Sequence, residues 1–247
     1  ISRILGTDMK LSVIFIGTGK YLNFLPKWYE SCEKYLVPNI SKQYYVFTDG
    51  ELNDPPENMI PYYQEHMSWP YITLLRFKTI LKASDFLSKS DWVLFLDADM
   101  LPVAEVKEED LFTDKKYIGV HHPCHFMGMN PHTKFPGAFE TNQESLACIT
   151  DNDDTSVYFQ GCLWGGRVPD VIDMMKELDR RTQDDLLRDV IAVWHDESQM
   201  NKFFSERRED VYVLGPEYAY PEVFSDYCNF EPKIVHLAKD NSSYQTT

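Results

Sequence analysis

Two carboxylates close an apolar run at Trp92-Val93-Leu94-Phe95-Leu96-Asp97-Ala98-Asp99, which sets clustered negative charge at the end of a buried segment. Continuous hydrophobicity over five residues reads as a strand covered on both faces, the form strands take in parallel sheets. Side chains two apart in an extended chain share a face, so Asp97 and Asp99 would converge on one cation while Ala98 faces away. Their oxygens suit Mg²⁺ or Mn²⁺. In the structural alternative, one Asp caps the next segment and the other pairs with a Lys or Arg; that leaves two acids costly at a buried strand end. His236 is a third candidate ligand, although it reads more simply as a strand residue, and His121-His122 could ligate metal but reads more simply as hydrogen-bonded structure.

Trp194-His195-Asp196-Glu197-Ser198 is the second concentration of chemistry. A capping box with Asp196 as N-cap and Gln199 as its partner accounts for part of it. An indole beside carboxylates also makes a sugar platform, with CH faces stacking on the ring and hydroxyls bound by the acids. The residues alone leave these two readings even. Gly17-Thr18-Gly19-Lys20 follows a strand but lacks phosphate-loop spacing and has Tyr21 where Ser or Thr is needed. Such a loop is either a tight turn or a cradle for a nucleobase, with Tyr21 stacking on it. Gly161-Cys162-Leu163-Trp164-Gly165-Gly166 reads as a turn, or as a place where backbone approaches a ligand closely.

The elements that must position these groups alternate. Lys10 to Gly17 reads as a strand, Leu25 to Leu36 as a helix, Gln43 to Thr48 and Asn58 to Gln64 as strands, and Thr73 to Leu87 as one helix before the carboxylate strand. That order predicts an α/β fold with a Rossmann-like, mostly parallel sheet flanked by helices. Beyond it, His121 to Thr155 reads as a long loop, and Val171–Leu178, Asp184–Ala192 and Glu197–Ser205 as helices.

The 247 residues, 43% hydrophobic and 14% aromatic, suffice for a proper core. A net charge of −15 without a basic stripe argues against nucleic acid as a partner. No stretch reaches the roughly eighteen apolar residues of a membrane span. Five widely spaced cysteines without a Cys-x-x-Cys pair suit a reducing compartment. The expected location is the cytoplasm, for a soluble enzyme of microbial or viral type, with the Golgi lumen and a removed anchor as the alternative.

Tyr44 to Asp49, Asp97-Ala98-Asp99-Met100, His122-Pro123, Gly165-Gly166, Trp194 to Ser198 with Asn201-Lys202, and Pro216-Glu217-Tyr218 resemble, in family order, the family 6 glycosyltransferases. These are the blood-group A and B transferases, the α-1,3-galactosyltransferases and their bacterial relatives. The resemblance implies one GT-A catalytic domain over 1–247, with a nucleotide-sugar half at about 8–99 and an acceptor-binding and catalytic half at about 100–247. It implies a UDP-galactose or UDP-N-acetylgalactosamine donor, a β-galactoside-type glycan acceptor, and retaining α-1,3 transfer with Mn²⁺, Mg²⁺ being a possible substitute.

By position, the resemblance makes Ile16 and Thr18 the uracil contacts, stacks Tyr21 on that base, and has Arg76 contact Asp97 and the donor sugar. Asp97 and Asp99 would bridge the metal to the diphosphate, Lys239 would meet that diphosphate, and Asp196 would bind donor hydroxyls. His122 and Trp194 would line the acceptor site, and Glu197, also at the acceptor, would be the catalytic carboxylate. Gln160 and Cys162 fall in the donor-discriminating segment, where Cys162 would crowd a 2-acetamido group and so favours galactose. Around Ala138-Phe139-Glu140 only Glu140 matches the family's acceptor loop, so the acceptor would differ. The competing functions are a GT-A enzyme using another donor such as UDP-glucose, a nucleotide-sugar hydrolase, and a non-catalytic glycan-binding module.

Overall fold

The computed structural model describes residues 9–128 and 137–239. Strands β1 (Lys10–Ile16), β2 (Ser41–Thr48), β3 (Met59–Tyr63) and β4 (Trp92–Leu96) form the parallel half of a seven-stranded sheet. Helices α1 (Leu25–Tyr35), α2 (Tyr71–Leu74), α3 (Arg76–Leu81) and α4 (Ser84–Leu87) lie between them in sequence. β5 (Met100–Pro102) and α5 (Glu108–Leu111) lead to β6 (Tyr117–His121), α6 (Pro123–Phe126) and β7 (Phe159–Arg167). Then come α7 (Val168–Leu186), α8 (His195–Ser205), β8 (Val211–Leu214), β9 (Tyr220–Pro221) and β10 (Ile234–His236). The main sheet runs β3-β2-β1-β4-β7-β6-β8, with β7 antiparallel to both neighbours, and β5-β10-β9 form a small second sheet. This is the mostly parallel α/β architecture that the sequence pattern predicts, and it is GT-A-like, as the resemblance implies.

Alternation along β1 explains the layers. Leu11, Val13 and Phe15 pack with Trp28 of α1 and Tyr44 on one face, and Ile14 and Ile16 join Phe77, Trp164 and the α7 residues Val171 and Met175 on the other. Trp164, without exposure, stacks on Phe95 at 5.2 Å and packs at a tilt against Phe77 at 5.4 Å.

Five local expectations are corrected. The helix over Thr73–Leu87 is three short helices, broken at Leu75 (φ −96°, ψ 17°) and Ala83 (φ −100°, ψ 8°), and the first break falls just before the buried Arg76. The glycine segment at 161–166 lies inside β7, since Gly is disfavoured in strands and masks the pattern. Val171–Leu178 and Asp184–Ala192 are not two helices. α7 runs through the polar stretch on i,i+4 pairs Glu177–Arg181 and Arg180–Asp184, ends at Leu186, and the chain turns at Asp189 (φ 56°). Asp196 is not an N-cap: α8 starts at His195, and Ser198 Oγ accepts the Trp194 N–H at 2.9 Å. β4 stops at Leu96, so the two carboxylates sit in a turn closed by Met100 N–H to Asp97 O (3.0 Å) rather than on extended chain. Residues 129–136 of the expected loop at 121–155 lie outside the described residues, whereas 137–148 bury Phe139, Glu140 and Ala147. No helix among the described residues is long and apolar enough to cross a membrane.

Candidate active site

After β1 the chain winds outward to β2 and β3, then returns to place β4 on the other flank of β1. Reversal of this kind opens a crevice at the carboxyl ends of the two central strands. Ile16, Thr18 and Tyr21 line up at the end of β1, and Asp97 and Asp99 at the end of β4. The β1 loop is tied down: Gly19, at φ 55°, donates its N–H to Asp49 Oδ1 at 2.8 Å, and Thr18 Oγ1 lies 3.0 Å from His66 Nδ1.

Asp99 has 1% exposure and is held by His236 Nε2 of β10 at 3.2 Å and by the ammonium of Lys239. Burial alone would raise its pKa; His236 and Lys239 hold it well below the usual carboxylate range. Burial alone would lower Lys239, and the negative charge of Asp99 raises it above its ordinary value instead. Lys239 also sits 4.7 Å from the Tyr21 ring centre, which joins the C-terminal segment to the β1 loop.

Asp97 is 31% exposed and faces Arg76 at 3.5 Å. Arg76, with 7% of its side chain exposed, also reaches Asp196 at 2.9 Å, donates to Gly161 O at 2.9 Å, and lies over Phe95 at 4.5 Å. Glu197, half-buried, accepts the Tyr158 hydroxyl on Oε1 at 2.6 Å and the Gly161 N–H on Oε2 at 2.7 Å. Burial outweighs those donors and pushes Glu197 up to about 7, and burial likewise pushes Asp196 up to about 6 despite Arg76. Glu197 therefore sits near its titration midpoint at neutral pH.

Arg76, Asp97, Gln160, Cys162, Trp194, Asp196, Glu197 and His236 line one cavity of about 170 Å³. Gln160 Nε2 lies 3.3 Å from His236 Nδ1, and Cys162 contributes its carbonyl to the Asp97 N–H at 2.9 Å. A larger hollow of about 360 Å³, lined by Val37, Pro38, Asn39, Glu105, Lys107, Glu108 and Glu109, shares none of these residues. His122 stands apart from the cavity lining: it caps α6 by accepting the Cys124 N–H at 3.2 Å, rings with His125 and Tyr158, and is pushed down to about 3 by burial. Glu140 does not face the cavity either. It clasps the backbone N–H groups of Thr141, Asn142 and Val193 at 2.8, 2.8 and 2.6 Å, fastening the segment that ends in Trp194. Sequence reasoning missed Tyr158, Thr73 and Trp69, which carry no spacing signal; only the three-dimensional path of β7 and α2 brings them to Glu197 and His195.

Two carboxylates alone do not complete a metal shell, and no set of three His, Cys, Asp or Glu side chains among the described residues does. The charge balance fits a divalent cation: among the described residues, Asp97, Asp99, Asp196 and Glu197 face the cations Arg76 and Lys239, with His236 beside Asp99. Their oxygen donors are the hard type that Mg²⁺ and Mn²⁺ take.

The family model described as Glycosyltransferase family 6 matches residues 4–245. O-antigen biosynthesis glycosyltransferase WbnI of Escherichia coli is 30% identical over 243 residues, covering 96% of this chain and 97% of that protein. Globoside alpha-1,3-N-acetylgalactosaminyltransferase 1 of Mus musculus is 28% identical over 87% of this chain, which spans 62% of the mouse protein's length. Histo-blood group ABO system transferase 2 of Rattus norvegicus is 25% identical over 96% of this chain and 70% of its own.

Proposed function

The chain belongs to glycosyltransferase family 6, whose members move a sugar from a nucleotide-sugar donor to a glycan, and on that premise we propose a retaining, Mn²⁺-dependent transfer of galactose or N-acetylgalactosamine from a UDP-sugar, in α-1,3 linkage, to a β-galactoside-type glycan. The observation that carries this reading is the Glu197 carboxylate, held by one donor on each oxygen in the lining of a cavity it shares with Arg76, Asp97 and Asp196. A retaining enzyme needs one carboxylate fixed at the reacting carbon, to attack it or to stabilise its positive charge, and both roles require the ionised form.

Asp97 and Asp99 would hold the cation, which when bound supplies positive charge against the diphosphate leaving group. Lys239, which pairs with Asp99 and lies over Tyr21, would meet the diphosphate, and Tyr21 with the β1 loop would meet the base. Arg76 orients Asp97 and Asp196, leaving Asp196 to bind donor hydroxyls. Trp194 supplies an apolar face for the acceptor. Support for the linkage comes from the mouse relative, which is named an alpha-1,3-N-acetylgalactosaminyltransferase. Support for a galactose preference comes from Cys162, buried to 4% where a 2-acetamido group would need space.

UDP release from UDP-galactose, UDP-N-acetylgalactosamine and UDP-glucose, with lactose as acceptor and Mn²⁺ or chelator, tests it. Chelator-sensitive transfer, fastest from UDP-galactose, is expected. Free sugar released in equal amount to UDP despite acceptor would mark a hydrolase, and preference for UDP-glucose would remove the galacto assignment.

A further inference from the structure

His195 is held in an unusual way. Its backbone lies at φ 51°, a conformation costly for a residue with a Cβ, and such residues persist where their surroundings fix them. Its N–H donates to Ala192 O at 3.0 Å, the edge of Trp69 packs at 4.9 Å, and Nδ1 lies 3.2 Å from Thr73 Oγ1.

The Thr73 contact decides where the imidazole proton sits. Thr73 Oγ1 lies 2.8 Å from Pro70 O, a carbonyl that can only accept. The single hydroxyl proton is therefore spent on Pro70, and Oγ1 meets His195 with a lone pair. Nδ1 must bring the proton to that contact. Burial, reinforced by Arg76, pushes His195 down to about 4, so at neutral pH it carries one proton and Nε2 is bare. Nε2 makes no hydrogen bond among the described residues and is not sealed from solvent, and His195 lines the cavity of Arg76, Asp97 and Glu197.

We propose that Thr73 is a positioning residue: by holding Pro70 O and His195 Nδ1 on one hydroxyl, it fixes His195 as the Nδ1–H tautomer and presents Nε2 as an acceptor for a sugar hydroxyl in the cavity. The sugar hydroxyl rests on the glycosyltransferase reading; the tautomer does not.

Long-range proton–nitrogen correlation on the full, unliganded chain with ¹⁵N-labelled histidine reads the tautomer directly, the His195 signals being assigned by their loss in His195→Gln. The wild type should show Nδ1–H. Thr73→Val, close in volume but unable to accept, should move His195 toward Nε2–H, and Thr73→Ser should restore the wild-type pattern; Thr73→Ala serves if the valine variant does not fold. Nε2–H in the wild type, or an unchanged tautomer in both variants, overturns the proposal. UDP-galactose cleavage without acceptor and transfer to lactose form the second arm, with an expected loss on the order of three- to ten-fold for one neutral hydrogen bond, reversed by Thr73→Ser. Loss in both reactions assigns the hydroxyl to the donor, loss in transfer alone assigns it to the acceptor, and loss in neither overturns the presentation of Nε2. Absence of turnover in the wild type counts against the proposed function, while the tautomer still decides the role of Thr73.

Discussion

Tyr158→Phe removes one of the two donors that hold the Glu197 carboxylate, at 2.6 Å, and leaves the other, the Gly161 N–H at 2.7 Å. A hydrogen bond to a charged group contributes about 1.5–3 kcal/mol, and a pKa unit is worth about 1.4 kcal/mol, so full loss would raise Glu197 by about one to two units. Glu197 is only half-buried, and water will replace part of the lost bond, so we expect the lower figure. The acid limb of turnover should then move from about 7 toward about 8. At pH 7 the ionised fraction falls from about a half to about a tenth, a roughly five-fold loss, and by about pH 9 the two enzymes should agree within about two-fold. Burial, then the charge of Glu197, raises the Tyr158 phenol itself well above its ordinary value, so it remains a donor across this range and adds no alkaline limb. The assay is UDP release across that span, fitted for kcat and for kcat/KM in both proteins. A lowered plateau on an unmoved acid limb would refute the tuning argument and leave Tyr158 as a steric support.

Asp97→Asn should cut Mn²⁺-stimulated turnover by at least about ten-fold and raise the Mn²⁺ concentration needed for half activation, since one of two carboxylate ligands is lost; an unchanged Mn²⁺ titration would remove the metal assignment. Asp99→Asn is the less clean test, because it strands Lys239 and His236 without their counter-charge. Glu197→Gln should abolish turnover while a thermal shift with UDP and Mn²⁺ survives, and near-normal turnover would rule out a catalytic carboxylate. Glu197 is raised in the folded state, so its contribution to stability is present below about 4.5 and is lost as pH rises through about 7. The glutamine variant should therefore melt above the wild type near pH 8 and not near pH 4, and scanning calorimetry at both values checks the sign. Gly166→Ala puts a Cβ 2.1 Å from Lys116 O at φ 146°, and should lower unfolding stability by about 3 kcal/mol or more in urea; a loss under about 1 kcal/mol would mean the β6–β7 register is looser than drawn.

Legibility in the sequence followed how local each signal was. The parallel half of the sheet was readable because each strand is an apolar run ended by Gly, Asp or Pro, and Asp97 and Asp99 stood out because charge at such an end needs a reason. β7 was not readable: four residues in its span are Gly or Cys, which pack well between β4 and β6 but carry no strand preference. The roles of Asp196 and Gln199 were misread for a related reason. Their spacing fits a capping box, but Arg76 reaches Asp196 from 120 positions away in sequence and Gln199 Nε2 instead donates to Asp185 at 2.9 Å, so tertiary partners displaced a local motif.

The glycine at 161 ties the fold to the chemistry. Pairing of β6 with β7 slips between Gly119 and Val120, whose partners are Trp164 and Gln160, so residues 161–163 bulge free of β6 while Leu163 still pairs with β4. The slip releases both polar groups of Gly161 from the sheet: its N–H goes to Glu197 and its carbonyl to Arg76. One residue thereby fixes the carboxylate and the guanidinium relative to each other. A Cβ there would lie 3.2 Å from Glu197 Cβ and 3.4 Å from Oε2, a contact close enough that α8 or the strand would have to give by a few tenths of an ångström. The bulge next door delivers the Cys162 carbonyl to the Asp97 N–H, which carries the same constraint to the turn of the two aspartates. Thus the antiparallel strand inserted into an otherwise parallel sheet contacts, through its own backbone groups, three of the six charged residues that the proposed transfer uses, Glu197, Arg76 and Asp97, so that their side chains work from a scaffold that is already set.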